Sequence, residues 1–294
     1  MSTQHRGWGR SPSRKKPAVV APQVQSIRTS DGGSLRVFSY GSGPGAVFAA
    51  GSLTRTLLYG RFASRLSATM PVHVYDRRGR GGSSPQPADY SMDTEVDDLK
   101  AVLDATGSRV VLGHSYGGGI ALEAALRLPV SRVGVYDPAV NIDGCLPTQT
   151  LPELVAAAAR GDHVGAVLVF SREMDPVLAR VPLPDPAARA LVWAASRLTR
   201  EGHSWKEMVP SLAHEITLLD GTHAAADRYA GIRVPLLLLA GAHSPWYFRT
   251  IASGLAASLP GSTSMVIPRA GHSALNHPSE KILGLFRRFL QQPA

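Results

Sequence analysis

A strand, a glycine-flanked serine, a helix and a second strand follow one another without a break between residues 108 and 137: "SRVVLG", "HSYGG", "GIALEAALRL" and "SRVGVYD". Two strands joined through a helix run parallel and are covered on both faces, so this stretch alone directs the chain toward an α/β architecture. At the junction, Gly113-His114-Ser115-Tyr116-Gly117 matches G-x-S-x-G with a strand before it and a helix after it. A serine in so tight a turn is forced toward strained backbone angles, and glycine two residues to either side leaves room for the turn. Strain of this kind costs stability and accompanies chemistry, which makes Ser115 a candidate nucleophile. The alternative use of such a serine is to cap the helix that follows.

The same rhythm extends over most of the chain. "VQSIRT" and "SLRVFSY", separated by "SDGG", predict a β-hairpin. Strands are predicted at "AVFAA" (46–50) and "VHVYD" (72–76), with a helix-like stretch "RTLLYGRFASRLSA" between them. Ser91 is placed to cap a helix carrying Val96, Leu99, Val102 and Leu103 on one face, and Gly107 to end it. From Val140 to about Tyr229 the alternation stops. The pieces "LPELVAAAARG", "HVGAVLVFSREM", "DPAARALVWAASRL" and "WKEMVPSLAHEITLL" are all helix-like, which predicts a helical insertion. Strand and helix then return as "VPLLLLAG", "YFRTIASGLAASL", "TSMVIP" and "SEKILGLFRRFL". The expected organisation is a basic tail over 1–22, an α/β core over 23–139 and 230–294, and a helical lid over 140–229, around a mostly parallel sheet of about eight strands.

Composition narrows the function classes. The formal charge of +9 would suit a nucleic-acid partner, but five of the surplus cations (Arg6, Arg10, Arg14, Lys15 and Lys16) lie in residues 1–22, which carry no acid. The excess over the rest of the chain falls to +4, so neither a nucleic-acid nor a membrane partner is expected, and the segment reads as a disordered tail. It lacks the apolar stretch of a secretory signal. Cys145 is the one cysteine, which excludes an intrachain disulfide framework and points to a reducing, cytoplasmic setting. No apolar run approaches the ~20 residues that span a bilayer. No metal-ligand spacing or phosphate loop is present, so no cofactor or metal is expected.

A serine hydroxyl needs a base, usually histidine oriented by a carboxylate. Among ten histidines, His272 in "PRAGHS" stands in the loop leaving the last apolar strand, at the sheet edge where sites of such folds collect. His277 is five residues further on. His203, His214 and His223 fall in the insertion, and His114 is read as packing beside the elbow.

"VYDRRGRGGSS" (74–84), "GHSYGG" and "GHSALNHP", in this order and spacing, resemble the α/β-hydrolase fold family over residues 24–140 and 230–292. The resemblance implies Ser115 as nucleophile and His272 as base, with Asp76 structural and Arg77, Arg78 and Arg80 supporting their loop. Two departures stand out. The family's acid most often follows the strand after the insertion, where this chain has "GAHS" and Ser244. A minority of relatives carry it one strand earlier, where "VGVYDPAV" supplies Asp137; an aspartate opening a turn before Pro138 is the competing use. The oxyanion hole implied by the resemblance takes one main-chain N–H from Tyr116 and a second after a His-Gly pair. Here Ala50 precedes Gly51, leaving Ser52 as the donor. Leu53, Leu191, Val192, Trp193, Trp205 and Trp246 are the expected apolar roof over a small hydrophobic substrate. The implied activity is hydrolysis of an ester, lactone or thioester. Lyase, cyclase or acyl-transfer chemistry in secondary metabolism, and non-catalytic ligand binding, stay open on the same scaffold.

Overall fold

The computed structural model describes residues 20–174, 183–221 and 225–292; His223 and nearly all of the basic tail lie outside them. Eight strands form one sheet: β1 (Gln23–Arg28), β2 (Ser34–Tyr40), β3 (Ala46–Ala49), β4 (Val72–Tyr75), β5 (Val110–His114), β6 (Arg132–Tyr136), β7 (Leu236–Gly241) and β8 (Thr263–Ile267). Their order is β1-β2-β4-β3-β5-β6-β7-β8. The hairpin β1–β2 and the β2–β4 pair are antiparallel, and every later pair is parallel. The eight-stranded, mostly parallel sheet is the one expected from the alternation of apolar runs.

Strands β3 to β7 are buried along their whole length, as the continuous apolar runs require of strands covered on both faces. On one face pack α2 (Met92–Thr106), α3 (Tyr116–Arg127) and α9 (Trp246–Ser258), sharing a core with Leu99, Ile120 and Ile251. On the other lie α1 (Gly60–Leu66) and α10 (Glu280–Gln291), whose Phe62 and Phe286 rings meet edge to face at 5.2 Å. Helix α2 starts and stops where the sequence indicates. Ser91 and Thr94 form a reciprocal capping box, and Gly107 at φ 64° ends the helix in the left-handed region.

Between β6 and β7 the described residues hold α4 (Leu151–Ala159), α5 (His163–Met174), α6 (Asp185–Leu198), the single turn α7 (Arg200–His203) and α8 (Trp205–Gly221), with no strand among them. Their own small cores, such as Leu154, Val169 and Leu212, also touch Leu53 of the β3 exit. The insertion therefore rests directly on the carboxyl edge of the sheet. No helix among the described residues is long and apolar enough to cross a membrane.

Candidate active site

Each strand from β3 to the edge strand β8 is followed by one polar side chain at the carboxyl edge: Ser52 after β3, Asp76 after β4, Ser115 after β5, Asp137 after β6, Ser244 after β7 and His272 after β8. Ser115 sits at φ 54°, ψ −124°, a backbone region that a side chain rarely tolerates. Its amide donates to Tyr136 O at 3.1 Å and its carbonyl accepts from Gly118 N at 2.8 Å and Ala139 N at 2.9 Å, so the surrounding chain holds the turn. The flanking glycines are sterically obligatory. A Cβ at Gly113 would strike the Gly117 carbonyl, and one at Gly117 the Ala49 carbonyl. Gly51 is less constrained, since a Cβ there would lie 3.1 Å from the Ser115 Cβ, a tight contact rather than a clash.

Asp137 is fully buried and also adopts a positive φ, 46°. Its Oδ2 accepts from His272 Nδ1 at 3.0 Å and from Ser244 Oγ at 2.5 Å, and its Oδ1 from Gly241 N at 2.9 Å. Three donors thus surround a carboxylate cut off from water, the arrangement that a buried charge needs. Ser244, standing in the place where relatives carry the acid, is a hydrogen-bond donor to the acid at 137. The Phe248 ring stacks on His272 at 4.6 Å and 11°. With Nδ1 committed to Asp137, Nε2 is the ring nitrogen left to act as a base; His272 and Ser115 line the same cavity, with no hydrogen bond between their side chains among the described residues.

His114 lies behind His272, their ring centroids 4.5 Å apart. Its Nε2 faces the His272 carbonyl at 3.0 Å and must carry a proton there; Nδ1 then accepts from Tyr59 Oη at 2.8 Å. Burial, together with the adjacent His272, holds the His114 imidazole well below its ordinary value, so it is neutral. His114, Asp137 and His272 are close enough to suggest a metal site, but both His114 nitrogens are already committed and no lone pair is left for an ion. His277 instead accepts from Arg61 at 2.8 Å, away from Asp137, while His203 and His214 bond to Thr199 O and Gln86.

Two cavities meet at Ser52 and Ser115. The smaller, of about 50 Å³, runs under the insertion between Leu146, Leu154, Phe170, Ile216 and Phe248. The larger, of about 570 Å³, passes Leu53, Trp205, His243 and His272. Leu53 and Trp205 therefore reach the site. Trp193 and Trp246 do not. They are 54% and 61% exposed and line neither cavity, which corrects the expected roof. On α6 only Ala188 is buried, and Trp193 stands on the outer face with Arg197 over its ring. Trp246 opens α9, whose next two residues, Tyr247 and Phe248, turn inward to line the small cavity. At ~100° per residue, Trp246 is left facing out. Leu191 is likewise exposed, and Val192 packs, as Trp205 does, against the insertion's own cluster of Ala157, Ala166, Val167 and Val209.

Asp76 Oδ1 accepts from the Thr56 amide and hydroxyl at 2.9 and 2.7 Å, a purely structural set of contacts. Arg78 pairs with Asp98 and Asp31, joining the β4 exit to α2 and the first hairpin.

Comparison with known proteins agrees with this architecture. Over 131 residues the chain is 34% identical to the lipase LipV of Mycobacterium tuberculosis, a match spanning 42% of this chain and about half, 49%, of that lipase. It is 28% identical over 231 residues to the pimeloyl-[acyl-carrier protein] methyl ester esterase of Neisseria meningitidis serogroup A, covering 77% of this chain and 70% of the esterase. The crystal structure of an alpha/beta hydrolase from Sphaerobacter thermophilus superposes with a TM-score of 0.73 at 27% identity, over 90% of this chain and 99% of that one. Residues 43–284 match the sequence profile of the alpha/beta hydrolase family, to which this chain belongs as a hydrolytic enzyme.

Proposed function

We propose that the chain is a cofactor-independent serine hydrolase that cleaves a carboxylic ester of a compact apolar acid through an acyl-enzyme. The observation that carries this reading is the 3.0 Å contact of His272 Nδ1 with the buried Asp137, beside a serine held at an elbow on the same cavity. Ser115 Oγ attacks the acyl carbon while its proton passes to His272 Nε2. The tetrahedral oxyanion is met by the main-chain N–H groups of Tyr116 and Ser52. Tyr116 is the first residue of α3, so its amide has no intrahelical acceptor and is available to a ligand. Collapse of the intermediate breaks the bond to the leaving oxygen, which takes the proton from His272. Water, deprotonated by the same imidazole, then releases the acid and restores Ser115.

The unequal cavities support an unequal substrate. The 50 Å³ chamber, lined mainly by aliphatic and aromatic side chains, suits a short acyl group, and the 570 Å³ chamber lies within the usual range for a small-molecule site and suits the leaving group. The esterase and lipase relatives favour an ester over other acyl donors. The single free cysteine, Cys145, is consistent with work in a reducing, cytoplasmic setting. The test is covalent labelling by a fluorophosphonate. Mass spectrometry should place the adduct on Ser115, and Ser115→Ala and His272→Ala should lose it. Folded wild-type protein that resists the reagent would end this reading.

A further inference from the structure

The carbonyl oxygens of the β3 exit loop are gripped by buried guanidinium groups. Arg77 donates from Nε to Ala50 O at 3.0 Å and from Nη2 to Gly51 O at 3.2 Å, and Arg80 donates from Nη1 to Gly51 O at 3.0 Å and Thr54 O at 3.1 Å. Thr54 Oγ1 adds a third donor to Gly51 O at 2.7 Å. Gly51 O belongs to the same peptide unit as the Ser52 N–H. In a trans peptide the C=O and N–H point to opposite sides, so cations held on the oxygen aim the N–H away from them. Ser52 and Ser115 line both cavities together, and the Ser52 N–H makes no hydrogen bond among the described residues. Charge on the oxygen also polarises the peptide and strengthens its N–H as a donor.

The arginines are balanced from two directions. Glu95 of α2 pairs with Arg77, and Glu215 of α8 pairs with Arg77 at 2.8 Å and with Arg80. The side chains of Arg77, Arg80 and Glu215 are fully buried. Burial would raise the Glu215 carboxyl, but Arg77 and Arg80 more than offset this and hold it below the ordinary value, so it is ionised. Arg77 also lies 4.6 Å over the ring of Tyr116, the other oxyanion donor's residue. Glu215 is the acid by which the helical insertion enters this cluster.

We propose that Arg77 and Arg80 are positioning residues that orient the Gly51–Ser52 peptide as an oxyanion donor, and that Glu215 makes this orientation depend on docking of the insertion. The inference rests on the role proposed above for Ser52. It assigns the task of fixing this loop, where Ala50 offers no polar side chain, to groups arriving from β4 and α8. The expected loss on disturbing the cradle is about 10- to 100-fold in kcat, below the ~10²- to 10³-fold that follows deletion of an oxyanion donor, because the N–H itself remains.

The experiment compares wild type with Arg80→Lys, Glu215→Gln and the double variant Arg80→Met/Glu215→Met. The double variant removes opposite charges together and leaves no unpaired ion in the interior, so it keeps the test alive if a single variant does not fold. The probes are p-nitrophenyl acetate for turnover and an aryl trifluoromethyl ketone, which becomes an oxyanion when Ser115 adds to it. The folded variants should lose kcat and trifluoromethyl ketone affinity together, 10- to 100-fold, with KM within about threefold. Wild-type kcat in the folded double variant, or a change confined to KM, would overturn the inference. Fluorophosphonate labelling of wild-type Ser115 separates this failure from failure of the serine-hydrolase reading, which would abolish labelling before any variant is made.

Discussion

Replacing Asp137 by asparagine tests the proposed division of labour at the sheet edge with almost no change in shape. In the wild type Oδ1 accepts from the Gly241 amide, and Oδ2 accepts from both Ser244 and His272. An asparagine has two ways to sit there. With its oxygen on Gly241 N–H, its NH2 faces His272 Nδ1, which must become an acceptor. The ring proton then moves to Nε2, where it blocks the base, and the precedent for this wrong tautomer is a loss of about 10⁴-fold. With the amide reversed, His272 keeps its tautomer but the NH2 confronts the Gly241 N–H. Leaving one buried donor unpaired costs about 1–3 kcal/mol, or roughly 10- to 100-fold, and the charge that steadies the imidazolium is lost as well. The two routes together set a floor near 10²-fold and a ceiling near 10⁴-fold in kcat/KM. The assay is p-nitrophenyl acetate hydrolysis alongside the rate of fluorophosphonate labelling, with circular dichroism to establish that the variant is folded. A folded Asp137→Asn enzyme within tenfold of wild type would show that another group orients His272.

Three further outcomes follow from the geometry. Gly117→Ala places a methyl group against the Ala49 and Ala50 carbonyls, so its unfolding free energy should drop by about 3 kcal/mol or more; wild-type stability in urea titration would mean the elbow is looser than described. Because burial holds the His114 imidazole well below its usual 6.5, the unfolded chain takes up a proton below that pH that the folded chain refuses, and stability falls as pH decreases from there. His114→Gln should flatten this slope between pH 6.5 and 5, and an unchanged slope would contradict the neutral assignment. Acyl chain length should matter on the small-cavity side: kcat/KM for p-nitrophenyl esters should fall about 5- to 150-fold from butyrate to decanoate, since overfilling a packed pocket costs about 1–3 kcal/mol. Ile216→Ala should recover part of that loss, and equal turnover of all chain lengths would place the acyl group in the larger cavity.

Local signals were legible and phase was not. The elbow, the first hairpin and both ends of α2 depend on residues within a few positions of one another, so glycine, serine and apolar spacing declare them. The apolar roof needed the rotational setting of α6 and α9, which a tryptophan's identity does not encode. Trp193 and Trp246 consequently face solvent, while Tyr247 and Phe248, one and two steps further along α9, face the site. The signal that could have found Phe248 is its place just past the β7 exit, beside the strand ends where every polar site residue emerges. Ser244 was visible only as a missing acid, and its hydroxyl's bond to Asp137 depends on the pairing of β6 with β7. The arginine cradle was hidden for a different reason. Arg80 and Glu215 are 135 positions apart, and no periodicity links a loop after β4 to the middle of α8.

The two departures from the family pattern obey one rule of complementarity. Strands β6 and β7 are neighbours, and their exits already exchange bonds through Asp137 N to Leu239 O at 2.8 Å and Gly241 N to Asp137 Oδ1. Asp137 already reaches the imidazole arriving from β8, and a second carboxylate at 244, whose serine bonds to Asp137, would put like charges side by side where both positions are buried from solvent. Once the acid stands at 137, position 244 is therefore best filled by a short donor, and a serine hydroxyl at 2.5 Å is one. Ala50 follows the same logic with the sign reversed. With alanine at position 50 the loop still presents its carbonyl oxygens, and buried cations satisfy them only if anions neutralise those cations in turn. Glu95 supplies one anion from the core and Glu215 the other from the insertion. Each change of residue type is thus matched by a partner of opposite hydrogen-bonding character on the adjoining element, and the two pairs predict how substitutions will couple. Asp137→Ser should be rescued in part by Ser244→Asp and worsened by Ser244→Ala, whereas Ser244→Asp alone should be more harmful than Ser244→Ala because it adds charge to an occupied site.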